Sequence, residues 1–305
     1  MVCGCALLCS TAGLCEAQRQ LDKAVDYLQK AVAVWRDIFG PRHPVVAATL
    51  SHLGAVHDQR ADHQSALSCF EAALKLQTAL YGEGSAETDA SVNSIAFCLK
   101  KLGDYDRARP QFERLLELRL ALHGENHASV ATAANNLGLL LKKLKLYPDA
   151  KDSYLRALAI RRKLYAHLHG EHEDVASSLN NLALLYESMD DVPEALEHHE
   201  QALRIRRSVF GEEHLLVAET LNNIGLTYKK ANDLVKAKFH FEEALQIRLL
   251  YGPDTPNVKV WTYILKCIHS YFFLLDVVVA SCFLLCNGCA PLWRTPHPMR
   301  RPPKG

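Results

Sequence analysis

Paired asparagines recur three times in this chain of 305 residues: in ATAANNLGLLLK from residue 131, SSLNNLALLY from 177 and ETLNNIGLTYKK from 219. A side-chain amide donates through its nitrogen and accepts through its oxygen. It can therefore pair with the backbone of an extended peptide whatever that peptide's side chains are. Each asparagine inside a helix costs up to about 0.7 kcal/mol against alanine. Asn93, Asn135, Asn136, Asn180, Asn181, Asn222 and Asn223 together approach about 5 kcal/mol, the scale of a domain's net stability. Something must offset that cost, either a ligand or a bonded network inside the fold.

The elements that hold the amides follow from an internal repeat. LDKAVDYLQKAV from 21, HQSALSCFEAAL from 63, YDRARPQFERLL from 105, YPDAKDSYLRAL from 147, VPEALEHHEQAL from 192 and LVKAKFHFEEAL from 234 align without gaps. Their first buried-type alanines are Ala24, Ala66, Ala108, Ala150, Ala195 and Ala237, spaced by 42 residues with one step of 45. The longer step comes from AHLH at 166–169, less one residue deleted after Gly170. Twelve residues before each alanine stands another small residue: Ala12, Gly54, Ala96, Gly138, Ala183 and Gly225. Four residues after it stands Phe70, Phe112, Tyr154 or Phe241, with Leu28 and His199 in the other two copies.

A fixed period in this range signals stacked helix pairs, and the small and aromatic positions resemble the tetratricopeptide (TPR) pattern. Small residues let helix A approach helix B, and the aromatic fills the space between them. The 42-residue period exceeds the usual 34 or so by about one turn on each helix. Glycines at Gly40, Gly82, Gly124, Gly170, Gly211 and Gly252 are expected to close the units. The joints GPRHPVVAATLSHLG, GENHASVATAANNLG and GEEHLLVAETLNNIG, with the helix ends ALAIRRKLY and ALRIRRSVF, resemble kinesin light chains and nephrocystin-type arrays. The resemblance implies an all-α, right-handed α-solenoid of about six repeats over residues 1–258 (about 1–40, 41–82, 83–124, 125–170, 171–211 and 212–252). The coiled coil of a motor light chain has no counterpart here.

In such a solenoid the A helices line the inner groove. The first-asparagine column there is Ser51, Asn93, Asn135, Asn180 and Asn222. One turn on come Ala55, Phe97, Leu139, Leu184 and Leu226, then Asp58, Lys100, Lys142, Glu187 and Lys229. Asn93, Asn135, Asn180 and Asn222 are expected to contact peptide backbone. Leu139, Leu184 and Leu226 are expected to form an apolar floor, and Lys100, Lys142 and Lys229 to read acidic residues. The second column, Asn136, Asn181 and Asn223, is expected to set repeat register. A purely structural array, in which both columns only set register, is the competing reading. Lysines ending helices also complement the helix dipole. The arginines Arg119, Arg161, Arg206 and Arg248, late in the B helices, are expected to be dipole complement and surface.

Other chemistry is weakly supported. His43, His127, His172 and His214 recur once per repeat before an A helix, too far apart to share a metal ion, and are read as turn and cap residues. No phosphate loop or nucleophile motif stands out, so neither an enzyme nor a cofactor is expected. The carboxylate clamp of co-chaperone TPRs would need lysine at the asparagine column, where Cys9 or Ser51 stands. A net charge of +1 gives no bulk attraction to nucleic acid. Eight of the ten cysteines cluster, at Cys3, Cys5, Cys9 and Cys15 and at Cys267, Cys282, Cys286 and Cys289, with only Cys69 and Cys98 between; all are read as free intracellular thiols. The opening MVCGCALLCSTAG fits the repeat register rather than a signal peptide.

Residues 259–305 break the pattern: WTYILKCIHSYFFLLDVVVASCFLLCNGCAPLW, then a basic, proline-rich end. Three readings stand for this tail. It is an apolar lid, a non-family sequence from altered splicing or gene prediction, or a membrane anchor, with Asp276 against the last. The sequence thus points to a cytoplasmic interaction scaffold for an acidic linear peptide, with any cytoskeletal or ciliary link resting on resemblance alone.

Overall fold

The computed structural model describes residues 2–251, and the side chains of residues 8–251. Gly252, the tail 259–305 with its three readings, and its four cysteines lie outside the described residues. The chain forms twelve α-helices among these, and no strand. The A helices are α1 (Val2–Ala17), α3 (Pro44–Gln59), α5 (Ala86–Leu102), α7 (Ala128–Lys143), α9 (Glu173–Ser188) and α11 (Leu215–Lys230). The B helices are α2 (Leu21–Phe39), α4 (His63–Tyr81), α6 (Tyr105–His123), α8 (Tyr147–Leu164), α10 (Val192–Phe210) and α12 (Leu234–Leu250). Each helix packs on its neighbours in sequence, which makes an α-solenoid of six antiparallel pairs. No helix among the described residues is long and apolar enough to cross a membrane.

Close approach inside each pair follows from residue size. A methyl group added at Gly54 would stand 2.9 Å from the Phe70 ring, one at Gly138 2.9 Å from Tyr154, and one at Gly225 2.6 Å from Phe241. The aromatic of helix B thus lies directly on bare backbone of helix A. Ala66, Ala108, Ala150, Ala195 and Ala237 on the B helices are fully enclosed, with Phe112 and Tyr154 beside them. A continuous core runs from Phe70 through Leu99, Leu115 and Leu140 to Leu182 and Ala202.

Helix ends are closed by two devices that alternate along the chain. Before the A helices, His43, His127, His172 and His214 accept through Nδ1 from the backbone N–H two residues on, at 3.3, 3.1, 3.1 and 3.2 Å. Each ring also stacks on the side chain that ends the preceding repeat: Phe39, His123, Tyr165 and Phe210, with centroids 4.4, 4.3, 3.6 and 4.4 Å apart. The cap reading of this column therefore holds. Before the B helices, Asp62, Asp104, Asp191 and Asp233 cap in the same sense.

Gly40, Gly82, Gly124 and Gly211 close their helices with φ between 77° and 85°. Gly170 does not, contrary to expectation. Helix α8 ends at Leu164 with Tyr165 as its cap, and a 3-10 turn over Ala166–Leu168 follows, with His169 and Gly170 at φ 54° and 79°. The extra residues bulge outward because Tyr165 still stacks on His172 and donates to Asp174 Oδ2 at 2.7 Å. The joint keeps its packing and the insertion is confined to a loop.

Gly138→Val should therefore lower stability by about 1–3 kcal/mol through overpacking against Tyr154. Gly13→Ala, where an added methyl meets nothing within 4 Å, should instead stabilise by up to about 1 kcal/mol. Urea melts followed by helicity read both signs.

Candidate peptide-binding groove

The asparagine doublets form a ladder between repeats. Asn181 donates through Nδ2 to Asn135 Oδ1 at 2.8 Å, and Asn223 donates to Asn180 Oδ1 at 3.0 Å. The second asparagine of one A helix thus bonds the first asparagine of the A helix before it. Asn135, Asn180 and Asn222 are only 8%, 7% and 8% exposed, less open than a groove-lining role suggests. Asn222 Oδ1 is buried without a hydrogen-bond partner. It lies on α11, and no later A helix among the described residues can supply the matching amide. The Nδ2 groups of Asn135, Asn180 and Asn222 make no hydrogen bond, yet they are not among the fully enclosed unpartnered atoms. Asn135 and Asn180 therefore spend their acceptors on the ladder and keep their donors, whereas Asn222 keeps both.

Asn93 differs. Half-buried, it accepts from Arg119 Nη2 at 3.3 Å and lines a cavity of about 370 Å³ with Ala55, Phe70, Phe97 and Lys101. Ser51, its counterpart one repeat earlier, accepts from Gln77, whose own oxygen accepts from Ser91 at 2.6 Å. In the same cavity, burial pushes the Cys98 thiol up to about 11, so it is an inert part of the wall.

One turn on, Phe97, Leu139 and Leu184 are half-buried, whereas Leu226 is 42% exposed. In the next turn the lysines divide. Lys101 pairs with Asp58 of the A helix before it at 2.6 Å, and Lys230 with Asp190, in the turn that follows the A helix before it, at 2.5 Å. Lys100 and Lys142 are half-buried and make no ion pair; Lys100 lies 5.4 Å from the Phe97 ring centroid. Burial pushes both ammonium groups below the ordinary lysine range, and the charge of Lys143 acts in the same direction. Glu187 partly offsets this at Lys142. Lys229 is exposed.

Glu187 interrupts the column for a reason inside the core. His199 stands where the other repeats carry Phe70, Phe112, Tyr154 and Phe241, and its Nε2 lies 3.5 Å from Glu187 Oε1. Burial by itself would raise the Glu187 pKa. Hydrogen bonds from His199 and Thr227 and the charges of His199 and Lys230 instead hold it below the usual carboxylate range. The carboxylate serves this internal network rather than the groove.

The arginine column corrects the sequence reading. Arg206 is 3% exposed; it donates to Glu173 at 2.8 Å on its own A helix and to Leu216 O and Thr220 Oγ1 on the next, at 3.2 and 2.8 Å. Arg161 donates to Asp174 O and Ser178 Oγ at 2.9 and 2.7 Å, and Arg119 to Asp89 at 3.0 Å. These arginines are staples between repeats, not surface. A guanidinium with five donors can satisfy two helices at once. The acidic partners Asp89 and Glu173 stand at different places in their repeats, so no recurring acidic position in the sequence announced these staples.

A family model described as tetratricopeptide repeat matches residues 4–79, 87–163 and 174–249. Among solved structures, BtubC (BKLC) from P. vanneervenii is similar with 26% identity and a TM-score of 0.60, over 78% of this chain and 92% of that one. A Podosopora anserina putative kinesin light chain with nearly identical TPR-like repeats gives 20% identity and a TM-score of 0.60, over 69% and 98%. The apo form of RapI gives 15% identity and a TM-score of 0.59, over 90% and 99%. At their identities the last two show the fold alone. No curated protein sequence matches the chain.

A double-mutant cycle on Asn135→Ala and Asn181→Ala should give a coupling of about 0.5–1.5 kcal/mol, while Asn135→Ala with Asn223→Ala should couple near zero. Arg206→Met, which strips a buried carboxylate and a hydroxyl of their donor, should cost about 3 kcal/mol in the same urea assay.

Proposed function

The chain belongs to the tetratricopeptide-repeat family, and from that premise we propose that its A-helix groove binds an extended peptide segment carrying acidic residues. The repeats and the solenoid support a protein-interaction scaffold. The observation that carries the acidic preference is the pair Lys100 and Lys142, half-buried cations without an ion-pair partner. A partly dehydrated ammonium is destabilised until a counter-charge reaches it. An arriving carboxylate supplies that charge in a setting less screened than open surface.

In this reading Lys100, Lys142 and the more exposed Lys229 read acidic side chains. Leu139, Leu184 and Leu226 bear against apolar ones. Asn93, Asn135, Asn180 and Asn222 contact the peptide backbone, the last three through the amide donors that the ladder leaves unused. The ladder itself supports the competing reading that the doublets chiefly set register, so the lysines and not the asparagines carry the weight. The likeness to kinesin-light-chain structures supports an adaptor of that general kind.

Fluorescence polarisation of the full chain against labelled acidic peptides tests the proposal. Lys100→Gln and Lys142→Gln should each weaken binding by roughly tenfold, which corresponds to about 1.4 kcal/mol. Binding should also weaken with salt. Because the peptide needs the protonated lysines, whose pKa is depressed in the free groove, affinity should be full below that pKa. It should fall as pH rises through it, before the 10.5 of an ordinary lysine. Indifference to peptide charge would sink the reading.

A further inference from the structure

The insertion that breaks the 42-residue period builds a second cavity, well away from the lysines. It has a volume of about 560 Å³ and is bounded by Arg162 of α8, by the inserted loop with Ala166 and His169, and by Gln201, Arg204 and Ile205 of α10. Its floor is Val175 and Leu179 of α9. These lie early in α9, whereas the lysine column sits late in the A helices, roughly 18 Å along the helix. The regular repeat just before has the same recess, lined by Glu125, Asn126, Arg156, Ala159, Ile160 and Lys163, but it holds only about 180 Å³. The larger recess is in the size range of small-ligand sites.

Charge sets it apart as well as size. One repeat later, Arg207 occupies the place of Arg162, and it is neutralised twice: by Glu212 at 2.6 Å and by Glu243 of the following B helix. At Arg162 both counter-charges are lost. The place of Glu243 is taken by Gln201, a neutral amide that accepts from Arg162 Nη2 at 3.4 Å. The place of Glu212 is taken by Glu171, which the inserted loop carries and which accepts from Ser208 Oγ at 2.5 Å rather than pairing with Arg162. Arg204 then adds a second guanidinium where the neighbouring B helices have Ala159 and Gln246. Neither Arg162 nor Arg204 has a carboxylate partner. The cavity is therefore an apolar floor beneath two uncompensated guanidiniums, with one carboxylate on its rim already engaged.

We propose that this cavity is a second peptide site, taking a short segment whose carboxylate lies between Arg162 and Arg204 and whose apolar side chain rests on Val175, Leu179 and Ile205. Planar guanidinium groups match a carboxylate in two parallel hydrogen bonds, which fixes the segment's direction as well as its charge. The site is independent of the A-helix groove and stands if that reading falls.

The test uses the full chain and a fluorescein-labelled hexapeptide library with one Asp or Glu flanked by Leu or Ile. Arg162→Gln and Arg204→Gln should each weaken the best binder roughly tenfold or more, whereas Arg36→Gln, an exposed arginine on α2, should leave it unchanged. Deleting Ala166–Leu168 returns the spacing to that of the other repeats, and should abolish binding while far-UV circular dichroism keeps the helical signal. Both arginines are exposed, so the single variants keep the test valid if the deletion does not fold. Three results would overturn the proposal: no library member binds; the best binder ignores Arg162→Gln and Arg204→Gln; or inorganic phosphate alone competes at the peptide's own affinity, which would mark an oxyanion site only.

Discussion

The contact between a bare stretch of helix A and an aromatic ring of helix B is what the rest of this molecule depends on. At Gly54, Gly138 and Gly225 the ring occupies the volume that any side chain would need. A solenoid has no central core to average out a local misfit, because each repeat touches only its neighbours. An error in the distance within one pair would therefore pass directly to the spacing of the next. The first and fifth pairs show the tolerance of the device. Leu28 takes the ring position in the first, and in the fifth His199 takes it opposite Ala183, with Glu187 3.5 Å from its Nε2.

Given that spacing, a second set of interactions fixes how pairs sit on one another, and it is polar. Arg119, Arg161 and Arg206 reach from a B helix to the next A helix, Arg119 through Ser129 O, and the asparagine ladder links A helix to A helix. Apolar surfaces slide at little cost, whereas a buried amide or guanidinium displaced by one residue loses its partner. Polar staples thus specify register where apolar packing would leave it soft. They also offset the helix-propensity cost of the asparagines without invoking any ligand.

Function then lies in what these networks leave unsatisfied. Lys101 and Lys230 are consumed by ion pairs between repeats, while Lys100 and Lys142, of the same residue type and at most one position away in the repeat, are not. Arg207 is neutralised while Arg162 is not. Arg162 is a charge whose repeat-mate Arg207 has partners, and Lys100 and Lys142 stand one repeat position from lysines that have them. A repeat protein offers this comparison within one chain, since each position has its own internal controls.

The sequence by itself determined the period, the twelve helices, the small-to-aromatic packing and the histidine caps. All of these are local: they depend on residues within one helix pair or one turn, and their spacing is written along the chain. The A-helix columns were legible for the same reason. What only the tertiary structure decided is which partner each polar side chain takes. Asn135 bonds Asn181, 46 positions away, and Arg206 reaches Glu173, 33 positions away, so neither pairing has a local signature. The sequence reading put the first asparagines at the ligand and the arginines at the surface, because propensity and dipole arguments stop at the end of a helix. The cavity beside the insertion was equally hidden. It exists because a loop displaces one carboxylate in space, and displacement is a property of packing rather than of order along the chain.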